Sequence, residues 1–315
     1  MKYPIITQKI NNVTFQLKEE ANLSILAQFG EVFCVFDQND SGNISFGVQN
    51  KENKRFFVKI AGLQTCNMTI DKHTAIKLLK ESVDNYYQLA DKQLINIVDS
   101  FSYDNLFLVV FDLFLVVFDW FEGDCLFDHW NFDFYEAHPE IASPNERFRN
   151  LSIEEKIDFS NKVLNFLELV DNERYVTIDF YDSSIIYNFD TNDFKICDID
   201  LFKRMPMLNE IGENFWGSKR MKSPEEYSLG SSIDSRTNVF KVGAFFMNLF
   251  GSFTTTQYSK MYTHNQFIPI DVENFSLSYS FYELLFKAVQ LEPDKRYQSI
   301  TELKKEWLRI QENII

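Results

Sequence analysis

Two aspartates on either side of a short apolar alternation are the residues of this chain best spaced for chemistry. In Val176–Asp200, VTIDFYDSSIIYNFDTNDFKICDID, Asp179 follows an apolar run and Ile185, Ile186, Tyr187 and Phe189 form an alternating segment. Asp190-Thr191-Asn192-Asp193 supply a turn, and the chain returns through Phe194, Ile196 and Cys197 to Asp198 and Asp200. Period-two alternation around an Asn/Asp turn predicts a hairpin, which brings its two ends together. Carboxylates at both ends then face one small volume, where they repel unless a cation lies between them. Mg²⁺ takes one or two protein carboxylates with phosphate oxygens and water, so the pattern points to metal-assisted phosphate chemistry. The competing reading is a pair of solvated loop acids in a chain with 46 Asp plus Glu.

The elements that must position these acids are legible in outline. Residues 1–28 read as a mixed, polar lead-in. Glu31–Asp37 and Ile44–Gln49 alternate like strands, joined by a polar turn containing Ser41 and Gly42, and Arg55–Ile60 gives a third strand ending F-V-K-I with Lys59. Thr74–Ala90 has helical apolar spacing and carries Glu81, with Lys77 four residues before it, a spacing that also suits a plain surface pair. Ile95–Tyr103 reads as a strand. LFLVVFD at Leu106–Asp112 then recurs unchanged at Leu113–Asp119. One strand through both copies would exceed the usual length, and the odd period would swap its faces. A duplicated strand with the first copy bulged out is expected. Leu151–Val170 reads as an amphipathic helix opened by a Ser-Ile-Glu-Glu cap.

Composition narrows the class. At 315 residues, 45% hydrophobic and 16% aromatic, the chain can bury a core as one large or two medium domains. A charged fraction of 24% excludes a membrane-embedded or fibrous class. A net charge of −15 disfavours nucleic acid, since phosphate contacts need Lys and Arg. It tolerates a cationic partner, or simply serves solubility. Cys34, Cys66, Cys125 and Cys197 are widely spaced without C-x-x-C, and the start lacks a signal-peptide pattern. Asp112 and Asp119 interrupt the longest apolar run, so no membrane span is expected and a reduced, cytoplasmic setting is. His129 and His138 show no H-E-x-x-H or comparable spacing for zinc.

Taken in order over Glu31–Trp307, these pieces resemble the eukaryotic-like protein kinase superfamily. Thr177-Ile178-Asp179 with Ser184 resembles H-R-D-x-x-x-x-N, and Asp198-Ile199-Asp200 resembles D-F-G; the acids match and their neighbours differ. Lys59 resembles the family's strand Lys and Glu81 its helix Glu. The Ser41-Gly42 turn stands where the glycine-rich loop would be, without G-x-G-x-x-G, and Trp120-Phe121-Glu122-Gly123 resembles the hinge. Ser223-Pro224-Glu225 resembles A-P-E, Arg236–Gly243 the buried D-V-W-S-x-G helix with Asn238 for Asp, and Leu291–Tyr297 the D-P-x-x-R-P segment.

The resemblance implies an α+β, bilobal protein kinase-like fold. Residues 29–119 would form a small antiparallel-sheet N-lobe with one helix, 120–123 a hinge, and 124–315 a larger, mainly helical C-lobe. It implies ATP and Mg²⁺ as cofactors. Lys59 would hold phosphates and Glu81 would orient Lys59; Ser41, Gly42, Trp120 and Phe121 would line the nucleotide. Asp198, Asp200 and Ser184 would serve the metal, and Asp179 would position the attacking hydroxyl. Glu225 and Arg296 would form a buried ion pair. Three functions fit: a Ser/Thr protein kinase-like phosphotransferase, a small-molecule kinase of the aminoglycoside or choline type with a cationic acceptor, and a pseudokinase scaffold. Loss of the glycines, the H-R pair, Asn and the D-F-G glycine favours the scaffold; joint retention of Lys59, Glu81, Asp179 and Asp198 favours catalysis. Ser218 is the only hydroxyl in Leu201–Lys222, which leaves open whether that segment is activated by phosphorylation.

Overall fold

The computed structural model describes residues 4–37, 41–104, 112–127 and 131–313. The chain divides into two compact units, Met1–Ala90 with Leu94–Phe121, and Asp91–Gln93 with Glu122–Ile315. It is mixed α and β, with separate antiparallel sheets and eight α-helices among the described residues, in keeping with the α+β expectation.

In the first unit the strands are β1 (Ile6–Ile10), β2 (Val13–Leu17), β3 (Glu31–Phe36), β4 (Asn43–Gln49) and β5 (Arg55–Ala61). Helix α1 (Lys72–Gln88) follows, then β6 (Ile97–Asp104) and β7 (Asp112–Asp119). Strands β3 to β7 form one five-stranded antiparallel sheet in the order β3-β4-β5-β7-β6. Alternation sorts its two faces. Ile44, Phe46, Val48, Val58, Ile60, Leu113, Leu115 and Val117 point to one core. Each such side chain contributes about 1.5–3 kcal/mol when fully buried. Lys59, paired in register with Ser45 and Val116, belongs to the opposite face. Phe114 and Phe118 share that face and meet α1, through Lys80 at 5.3 Å from the Phe114 ring and Tyr86 at 5.0 Å from that of Phe118.

The N-terminal stretch is more than a lead-in. β1 and β2 form a hairpin, and Phe15, Leu17, Leu23, Ile25 and Leu26 complete the core against the sheet. Asn11 turns the hairpin at φ +52° and its Oδ1 accepts the Val32 N–H at 2.9 Å. The second copy of LFLVVFD is strand β7. All of the first copy except Asp112 lies outside the described residues, and so does its expected bulge.

The second unit runs through β8 (Asp124–Cys125), α2 (Phe132–Ala137), α3 (Pro144–Arg149), α4 (Ile153–Asn172) and β9 (Tyr175–Val176). It continues with β10 (Ile185–Asn188), β11 (Asp193–Ile196), β12 (Lys203–Arg204), β13 (Met207–Leu208) and β14 (Ser232–Ile233). The last elements are α5 (Ser235–Phe250), α6 (Thr255–His264), α7 (Tyr279–Ala288) and α8 (Ile300–Glu312). The Ser152 cap forms as the sequence predicts: its Oγ accepts the Glu155 N–H and Glu155 Oε2 accepts the Ser152 N–H. Helix α5 is buried all round from Thr237 to Phe250, the pattern of a helix in the middle of a core. The hairpin predicted between the two candidate acids is β10–β11, with Ile185 opposite Ile196 and Tyr187 opposite Phe194. β8 adds to its other edge, and Asp91–Gln93 run beside β11 through Ile196 N–H to the Gln93 carbonyl.

Candidate active site

Both ends of the β10–β11 hairpin carry an aspartate in left-handed backbone: Asp179 at φ +60° and Asp198 at φ +56°. An L-residue there costs roughly 1–2 kcal/mol, and such strain persists only where surroundings impose it. For Asp179 the surroundings are visible. Ile178 and Phe180 on either side are buried, and the Asp179 Oδ1 accepts the Ser218 N–H at 2.9 Å. Gly217 supplies that approach at φ +117°, a conformation that favours glycine. For Asp198, Ile199 is buried and the Cys197 N–H bonds the Ser184 carbonyl at 2.9 Å. Asp179 and Asp200 are half-buried and Asp198 is exposed.

Tyr181 stands between these acids in the electrostatic sense. Burial first, then the charges of Asp179 and Asp198, push its phenol well above the usual tyrosine range. Ser184 is buried, and its Oγ accepts the Tyr181 N–H at 3.4 Å.

The loop is anchored from α5. Asn238 Oδ1 accepts both the N–H and the hydroxyl of Thr177, at 2.8 and 3.0 Å. Its Nδ2 donates to Asp171 Oδ1 at 2.9 Å and to the Tyr175 carbonyl at 2.8 Å. Two acceptor and two donor positions are thus all filled. Asp171, at the end of α4, also accepts the Ile300 N–H through Oδ2.

The ion pair expected between Glu225 and Arg296 is present and buried. Arg296 Nη1 and Nη2 meet Glu225 Oε1 and Oε2 at 2.7 and 3.0 Å. Its other donors reach the carbonyls of Gln290, Leu291 and Arg236, so the fork is fully satisfied. Two further buried pairs were not read from the sequence: Lys241 with Glu226 at 2.7 Å, and Arg220 with Asp182 at 2.7 Å. Burial alone would lower the Arg220 pKa, but the Asp182 charge and hydrogen bonds outweigh it and raise it. Lys222 is also buried, which pushes its pKa down; its ammonium is held by the carbonyls of Phe215 and Glu213. None of these pairs has a local spacing, since their partners come from separate elements.

The first unit holds the remaining predicted residues. Lys59 is half-buried on β5, and Glu81 is exposed on α1 with Lys77 Nζ 3.7 Å from its carboxylate, the i,i+4 spacing read from the sequence. Gly42 takes φ +75° and packs on α1: a Cβ there would lie 3.1 Å from that of Ala75. Ser41 beside it is exposed, and Phe121 is half-buried. Trp120 donates its backbone N–H to the Arg55 carbonyl and sets its ring edge-on to Phe33 at 5.0 Å.

No protein-family model matches this chain, and no curated protein matches it. Among the described residues no three His, Cys, Asp or Glu side chains form a group fit for a metal ion. No helix of the described residues is long and apolar enough to cross a membrane. None of the four cysteines is in a disulfide, and all four are half-buried.

Proposed function

We propose that this protein is an ATP- and Mg²⁺-dependent phosphotransferase of the bilobal, protein kinase-like class, acting on a hydroxyl acceptor. The observation that carries the reading is the pair of left-handed aspartates, Asp179 and Asp198, at the two ends of one hairpin, with the Ser218 amide on Asp179. Strain at two carboxylates of complementary expected role is where a functional site is to be sought. Three further observations support it. The first unit is a five-stranded antiparallel sheet with Lys59 on its middle strand and one long helix. The second contains the longest helix, α4, and the buried α5. Glu225 and Arg296 pair as the resemblance to protein kinases leads one to expect, which favours a protein acceptor over a small cationic one.

Bound Mg²⁺·ATP would supply the phosphoryl group and neutralise its charge. Asp198 and Asp200 offer the hard oxygen donors that Mg²⁺ prefers. Ser184, whose Oγ accepts the Tyr181 N–H, would brace the loop beside the metal. Asp179, fixed by Ser218 and by the Thr177 anchor two residues before it, would orient the acceptor hydroxyl and take its proton. Lys59 would hold phosphate oxygens. Positioning and charge stabilisation supply most of the rate in such chemistry.

A nucleotide-binding module without turnover is the second reading, favoured by the burial of Ser184, which stands where the resembling motif has Asn. Release of ADP from Mg²⁺·ATP by the wild type, lost in Asp179→Asn, separates the two. Nucleotide binding with no ADP release leaves only the module.

A further inference from the structure

Resting on the phosphotransferase reading, the structure also bears on how the segment after the metal loop is held. Arg220 and Asp182 form a two-pronged pair, Nη2 to Oδ1 at 2.7 Å and Nη1 to Oδ2 at 3.2 Å, with side chains 7% and 1% exposed. Asn248 of α5 donates to the same Asp182 Oδ2 at 2.8 Å, and the Phe127 ring lies 4.0 Å from the guanidinium. Two residues before Arg220, the Ser218 amide reaches Asp179, and the Met221 N–H closes a turn onto the Ser218 carbonyl. One backbone bond and one ion pair thus join residues 218–220 to the loop 179–182.

Segments ordered by phosphorylation gain a dianion that a waiting arginine receives. This site offers no such vacancy on the catalytic loop. The position before Asp179 is Ile178, fully buried, and the Arg220 fork is taken by Asp182. The one hydroxyl of the segment, on Ser218, adjoins the amide that binds Asp179, so a phosphate there would bring more negative charge to a carboxylate. We propose that the Asp182–Arg220 pair is a built-in substitute for an activating phosphate. It docks the segment on the loop permanently, so the site is assembled without modification, and Asp182 and Arg220 are positioning residues for Asp179.

The test is hydrogen exchange at the Ser218 amide in the full chain after phosphatase treatment, with ADP release from Mg²⁺·ATP measured on the same samples. In the wild type the amide is expected to be protected, and treatment to change neither reading. Asp182→Asn keeps the shape and removes the charge. It is expected to speed Ser218 exchange about tenfold or more while α5 stays protected, and to lower kcat with KM for ATP unchanged. Arg220→Lys keeps the charge but not the fork; it is expected to move exchange the same way by less, and it serves if Asp182→Asn does not fold. Unchanged Ser218 exchange in these variants, or loss of protection on phosphatase treatment, overturns the proposal. Faster exchange in Asp182→Asn with no ADP release by the wild type supports the clamp and overturns the phosphotransferase reading beneath it.

Discussion

Asn238 of α5 receives both the amide and the hydroxyl of Thr177, 61 positions away in sequence, and so fixes the residue two before Asp179. The Asn238 Nδ2 donates to Asp171 and to the Tyr175 carbonyl. An aspartate at 238 could not do so, because a carboxylate has no N–H to give and would face the Asp171 carboxylate. Asn238→Asp is expected to lower stability by at least about 1–3 kcal/mol, the cost of leaving such buried groups unpaired. Adding Asp171→Asn returns an amide to the pair and is expected to recover part of the loss, the Tyr175 carbonyl staying without its donor. Denaturant midpoints of the single and double variants read both effects; a neutral single variant rejects the anchor.

Glu225 and Arg296 are a pair of fully engaged buried charges. Replacing one partner, as in Arg296→Ala, is expected to cost about 3–5 kcal/mol, whereas exchanging both for apolar residues of similar volume is expected to cost much less. Additive losses in a double-variant cycle would show that the charges do not act as a pair.

Two groups set expected limits of pH stability. The Glu155 pKa is lowered from 4.5 by the Ser152 backbone and side-chain hydrogen bonds. Its cap is therefore fully stabilising above that value and is lost as pH falls through the lower folded value. Tyr187 is pushed up to about 12 by burial first, then by the Glu155, Asp158 and Asp193 charges. Its phenol ionises more readily unfolded, so stability falls as pH rises from the ordinary 10.0 toward the folded value. Glu155→Gln is expected to flatten the acid limb of a stability profile and Tyr187→Phe the alkaline limb. Unaltered limbs would remove these assignments.

The repeated LFLVVFD is expected to be dispensable. β7 already occupies the sheet through its second copy, with Leu113, Leu115 and Val117 in the core. Deleting 106–112 should leave the melting temperature unchanged or higher. A marked fall would mean that the first copy contributes to the fold.

What could be read from the sequence followed local physics. The β10–β11 hairpin has period two around an Asn/Asp turn, and the Ser152 cap places its partner three residues on; both appear in the structure. The hairpin β1–β2 was missed although Val13, Phe15 and Leu17 alternate after an Asn-Asn turn, because the flanking polar residues masked a strand only five residues long. Asp182–Arg220 and Asp171–Asn238 leave no local trace, since tertiary packing alone brings their partners together. The Glu225–Arg296 pair was legible only through the resemblance, its residues being 71 positions apart.

The most direct measurement of the central claim is the melting temperature with ATP, in Mg²⁺ and in chelator, for the wild type and Asp198→Ala. A ligand that binds the native state raises stability by mass action, about 2.7 kcal/mol at a hundredfold excess over its Kd. The account predicts a rise with ATP that requires Mg²⁺ and disappears in Asp198→Ala. No rise at millimolar ATP, or an equal rise in Asp198→Ala, contradicts it.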